Sequence, residues 1–152
     1  MIVTRRFLAL FALMFWLGGL MVFGAIVVPV IRANLDGPVR NTITQTVTRW
    51  MNFAGTVALL LTFVEAWAAS ARRWRWAAWV GMALPQIAVV WLHHELSRQM
   101  KDGLEHTNKA GFLAWHGAYM AFNVMQVLAG LTFAFLALRT WRKEDASAQD
   151  AI

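Results

Sequence analysis

The 152-residue chain has no cysteine, a single tyrosine, three prolines and only eight acidic residues. Without thiols it carries no disulfide, no thiolate metal site and no iron–sulfur cluster of its own, and nothing follows about compartment. Charge is scarce as well: 14% of residues are charged against 59% hydrophobic, which excludes a soluble globule of this length because too few polar groups are available to face water. Catalytic signatures are missing too. No Ser or Cys nucleophile, glycine-rich phosphate loop or carboxylate dyad accompanies the histidines, so the chain reads as non-enzymatic.

What is there is length of apolar sequence. Four runs meet the requirement of about 20 mostly apolar residues per bilayer crossing: Phe7 to Ile31, Trp50 to Ser70, Trp74 to Leu96 and Phe112 to Leu138. Each must be helical, because a lipid-exposed strand edge leaves backbone groups unpaired. The fold class is therefore all-α, a four-transmembrane-helix antiparallel bundle over residues 1–141, followed by a polar tail, 142–152, with nothing to bury and expected to be disordered. The first run is far longer than the apolar core of a cleavable signal peptide and is read as a retained anchor.

The net charge of +6 sits where helices leave the membrane, which points to anionic lipid headgroups and not to nucleic acid. With a cytoplasmic N-terminus, Arg5, Arg6, Arg72, Arg73, Arg75, Arg139, Arg142 and Lys143 lie inside, against Arg32, Arg40, Arg49, Arg98, Lys101 and Lys109 outside. This bias places both termini in the cytoplasm, and a bacterial inner membrane is the expected location.

Local signals set the helix limits. The first helix ends near Pro29 to Arg32, and Asn34 to Pro38 is turn chemistry with Asp36 available as an N-cap. Thr42, Thr44, Thr46 and Thr48 alternate as in a strand, but a lone strand has no partner, so the apolar spacing of Ile43, Val47, Trp50, Met51 and Ala54 is read as a helix projecting from the membrane. The short link Ser70 to Trp74 forces a helical hairpin, and Pro85 falls inside the third helix. Gly103 is a C-terminal stop, with Thr107 or Asn108 capping the fourth helix. Small residues four apart, Ala54/Ala58, Gly117/Ala121 and Gly130/Ala134, allow close helix packing within one subunit or in a homo-oligomer.

Polar side chains in the apolar runs mark where function is sought. At about 100° per residue, Gln86, His93 and Ser97 share one face of the third helix, with His94 a quarter turn away. On the fourth helix His116, Met120, Asn123 and Gln126 form a stripe with Tyr119 beside it. Asn52 and Thr56 extend the threonine row of the second helix. These rows converge on a pocket in the outer half of the bundle, around His93 and His116. Several readings of it stand. The histidines brace the hairpin by hydrogen bonds, or His93 and His116, joined by His94 or His106 and with Met51, Met100 and Met120 as soft neighbours, bind a metal ion. Imidazole with thioether favours copper. A small-molecule ligand is a further reading, and haem b between helices a weaker one, since adjacent helices lie only about 8–10 Å apart. An accessory subunit packed on partner membrane helices has no ligand at all. Glu65 is read as an interfacial ion-pairing residue with Arg72, Arg139 or Arg6 as partner, or as a carboxylate in a proton path.

Phe15 to Val30, Thr48 to Gly55 and Phe112 to Tyr119 together resemble small bacterial four-helix membrane proteins similar to the transmembrane protein 205-like group (domain of unknown function 4149). The resemblance implies four helices in a membrane and brings no established reaction. It also implies that the last helix opens with a histidine, matched by His116, and an asparagine seven residues on, matched by Asn123. The doubled His93–His94 and the Trp-rich hairpin depart from that pattern.

Overall fold

A computed structural model of the chain describes residues 2–68, 72–101 and 108–150. Among the described residues every regular element is helical, and four rods are long and apolar enough to cross a membrane. The first rod is α1 (Ile2–Val22), a π-helical stretch (Phe23–Val27) and α2 (Val28–Asn34) in continuous succession. Pro29 accounts for the wide turn: it has no N–H and its ring crowds the carbonyl of Ala25, so the preceding turn opens and the N–H of Val28 bonds to Phe23 O, five residues back. Leu35 and Asp36 then turn the chain in extended conformation.

The second rod, α3 (Gly37–Trp67), starts with Pro38 in its first turn, where a missing N–H costs nothing. Asp36 stands at the cap position as expected, but its side chain makes no capping bond; its carbonyl accepts from the Arg40 N–H at 2.8 Å. The threonine row is helical. Thr42 donates to the carbonyl of Pro38, four residues back, which satisfies the hydroxyl locally and removes the need for a strand partner. The third rod is α4 (Arg72–Lys101), with Pro85 inside it. The last is α5 (Lys109–Gln149), capped by Asn108, whose side-chain oxygen accepts from Gly111 N at 3.1 Å. Gly103, His106 and Thr107 lie outside the described residues.

Residues 142–149 continue α5, where the composition suggests a disordered tail. The reason is tertiary. Arg6 of α1 donates to Glu144 at 2.5 Å and to Asp145 at 2.8 Å, while its guanidinium lies 5.4 Å from the Trp141 ring centre. Two acids that look like solvated tail residues are thereby held against the first turn of the chain, and the two ends of the chain meet at one end of the bundle.

In cross-section the rods follow the order α1, α3, α4, α5 and back to α1, with α4 and α5 packed most extensively. At Gly81 of α4 a Cβ would stand 3.4 Å from Ala129 of α5, in ordinary van der Waals contact, so small residues line this seam. Helix α1 is wedged between α3 and α5 by two buried side chains. Trp16 sits on Gly55, where a Cβ would fall 2.7 Å from the indole, and Leu17 sits on Gly130, where a Cβ would fall 2.6 Å from a methyl. At Gly55 a larger residue would meet the rigid Trp16 ring and push α1 outward, whereas at Gly130 the neighbouring atoms are the methyl ends of Leu17. Gly117 meets nothing within 4 Å, so the Gly117/Ala121 pair packs no neighbouring helix at that residue. Large apolar side chains such as Phe11, Phe15, Leu60, Ile87 and Phe135 cover the outside of the rods, the arrangement of a protein solvated by hydrocarbon.

Candidate functional site

Polar groups occupy three levels along the bundle. At the end opposite the chain termini, a cavity of about 400 Å³ opens between α2, α3, α4 and α5. His93 from α4 and His116 and Tyr119 from α5 line it, facing Thr44 and Thr48 of α3. The two histidines thus line one cavity from adjacent helices, His93 half-buried and His116 exposed. The imidazole of His116 is stacked between Phe112 and Tyr119 on successive turns, with ring centres 6.3 and 6.5 Å away and planes within 16° of parallel. Tyr119 of α5 and Thr48 of α3 line the cavity from helices that are not neighbours in the bundle. Asn123 donates to Tyr119 O at 2.8 Å, so it supports the wall without lining it.

The cavity has two contributors that the sequence reading assigned only to the interface. Arg32, near the end of α2, and Arg40, in the first turn of α3, flank the Leu35–Asp36 turn and fold back into the wall. Their symmetrical placement about the turn is the signal that could have found them. Among the described residues no Asp or Glu lines this cavity.

Other candidates are placed elsewhere. His94 and Met120 are exposed on the outer surface and do not line the cavity. Among the described residues no three His, Cys, Asp or Glu side chains gather as a metal site would require. Gln86 and Gln126 lie deeper, nearly fully buried, and form their own level: Gln126 Nε2 donates to Gln86 Oε1 at 2.5 Å, and Gln86 Nε2 donates to the carbonyl of Asn52 at 2.9 Å. Three helices are thereby joined in the apolar middle. Gln126→Leu is expected to cost about 1–2 kcal/mol, because Gln86 Oε1 is left buried without a donor, and Gln86→Leu/Gln126→Leu should recover most of it. Unfolding by sodium dodecyl sulfate in mixed micelles reads both, and equal losses in the single and double variants would rule the bond out as the cause.

The third level, near the chain ends, centres on Glu65, only 1% exposed. Its Oε2 accepts from Arg5 Nε at 2.7 Å, and its Oε1 accepts from Arg75 Nη1 at 3.2 Å and Trp141 Nε1 at 2.7 Å. Arg75 is equally buried and also donates to the carbonyl of Ala137 at 3.1 Å. One carboxylate therefore joins all four rods. The ion-pairing expectation for Glu65 holds with Arg5 and Arg75 as partners in place of Arg139 or Arg6, because α1 and α4 turn those two arginines toward it; the Arg72 side chain lies outside the described residues. Between this level and the glutamines, Thr62 is fully buried and donates its hydroxyl to Ala58 O and Leu59 O.

Four apolar rods with polar contacts directed inward define a small helical membrane protein with one polar cavity at the end away from its termini. The chain belongs to the family described as domain of unknown function (DUF4149), which it matches over residues 11–105. That segment runs from α1 to beyond α4, so His93 lies inside it while His116 and Tyr119 lie outside. No curated protein and no solved structure matches the chain.

Proposed function

We propose that this is a non-enzymatic protein of the bacterial inner membrane, with both termini cytoplasmic, that binds a small acidic ligand in the cavity around His93 and His116. The reading rests on one observation: Arg32 and Arg40 join two imidazoles in a wall that has hydroxyl and amide groups and, among the described residues, no carboxylate. Such a wall attracts an anion and repels a free cation. Val28, Leu96 and Leu113 complete it with apolar surface, which suits a carboxylate on a short apolar body. Among the described residues a copper ion would have the two imidazoles and Met100 as soft or nitrogen donors there, with two guanidiniums nearby. Haem is disfavoured because His93 and His116 stand on α4 and α5, the most extensively packed neighbours.

The test uses the full chain in a neutral detergent and a fluorinated octanoate probe followed by fluorine NMR. Saturable binding is expected, weakened about tenfold or more by Arg40→Gln, as loss of a charge-assisted hydrogen bond requires, and weakened likewise by His93→Ala. Stoichiometric copper that both histidine variants lose would replace this reading with a metal site, and a Soret band would replace it with haem. A second reading, an accessory subunit without a ligand, is favoured by the stacked, exposed Phe7, Phe11 and Phe15 along α1, a face suited to a partner helix. Absence of saturable binding together with a co-purifying membrane subunit would favour it.

A further inference from the structure

A second cavity, of about 370 Å³, opens between α4 and α5 at the end where the chain termini meet. Arg75, Arg139 and Lys143 line it, and the one acidic residue of its wall, Glu144, accepts from Arg6. Arg139 and Lys143 stand one helical turn apart, and among the described residues neither pairs with a carboxylate. Arg75 is 1% exposed; Glu65 and Ala137 O take its terminal nitrogens, and its buried Nε has no partner. Three guanidinium or ammonium groups thus surround a space that holds a single, already engaged, negative charge. Trp74, 64% exposed, and Leu136 carry the wall onto the apolar outer surface.

We propose that this cavity binds a phosphate group, that of an anionic phospholipid whose acyl chains run down the Trp74 and Leu136 side. Aromatic and basic residues in this combination mark headgroup depth. An anionic lipid brings its phosphate oxygens to Arg139 and Lys143 with a net negative charge, whereas a zwitterionic headgroup carries the same phosphate beside a quaternary ammonium that the basic wall repels. The site is independent of the histidine cavity, since it lies at the opposite end of the bundle.

The full chain in neutral maltoside detergent is melted while short-chain phosphatidylglycerol, short-chain phosphatidylcholine or inorganic phosphate is titrated. Phosphatidylglycerol should raise the melting temperature saturably and phosphatidylcholine should not. In Arg139→Gln/Lys143→Gln the half-saturating concentration should rise about tenfold or more. Arg142→Gln, compared with Arg139→Gln alone, removes the same charge from the same end but off the cavity wall, and should leave the response as in the parent. Equal loss in Arg142→Gln and Arg139→Gln, or no saturable rise in the parent, overturns the site. Inorganic phosphate acting as strongly as the lipid overturns the lipid as source. Octanoate binding should be unchanged in Arg139→Gln/Lys143→Gln, so failure of either site is read separately from the other.

Discussion

Glu65→Ala should destabilise the bundle by roughly 3–5 kcal/mol, the scale for removing one member of a buried ion pair. Its carboxylate is the shared acceptor for Arg5, Arg75 and Trp141, so its loss leaves a buried guanidinium with only Ala137 O and strands an indole N–H. Unfolding in mixed micelles, followed by the fluorescence of the nine tryptophans, measures the effect. The same physics predicts recovery: Glu65→Leu/Arg75→Met removes both desolvated charges, and most of the lost stability should return. A single variant as stable as the parent would mean that the four-rod junction contributes nothing. A double variant no better than the single would locate the loss in packing and not in uncompensated charge.

The second large effect is steric. At Gly55 even a Cβ would come within 2.7 Å of the Trp16 indole and 3.0 Å of Gln86 Nε2. Trp16 is 1% exposed and has no room to swing aside. Gly55→Leu is therefore expected to cost about 3 kcal/mol, at the upper end for overpacking a close contact and well beyond the fraction of a kcal/mol that leucine gains over glycine as a helix former. Gly117→Leu is the control, because that position meets open space and should be near neutral. Since Gln86 supports the level beneath the cavity, Gly55→Leu should also weaken octanoate binding, whereas Gly117→Leu should not. Equal stability of the two variants would show that α1 does not depend on the Trp16 seat.

The contrast between what was legible and what was not follows particular residues. Composition and run length were sufficient for four helices, because the cost of unpaired backbone in hydrocarbon leaves no other choice. Asn108 as a cap and the helical threonine segment were readable because both depend on groups within four residues of one another. The convergence of His93, His116, Tyr119 and Thr48 was readable because helical spacing and a short α4–α5 connection bring one end of three helices together. Other assignments needed the rotation of each rod about its own axis. A turn of about 100° decides whether His94 or His93, Met120 or Tyr119, faces the interior. The partners of Glu65 and the helical end of α5 turned on the same variable, since Arg5, Arg6 and Arg75 act on residues 60, 138 and 10 positions away.

By itself, then, the sequence determined a membrane-spanning helical bundle and the end of it that carries the histidines, since transfer of backbone and polar groups into hydrocarbon depends on residue type and local spacing. Only the tertiary structure decided that Arg32 and Arg40 share the histidine cavity, that Glu65 joins the four rods and that Arg75 keeps an unpaired N–H beside a basic groove. Those outcomes depend on the seating of Trp16 on Gly55 and Leu17 on Gly130, contacts between distant segments that set how each helix is turned.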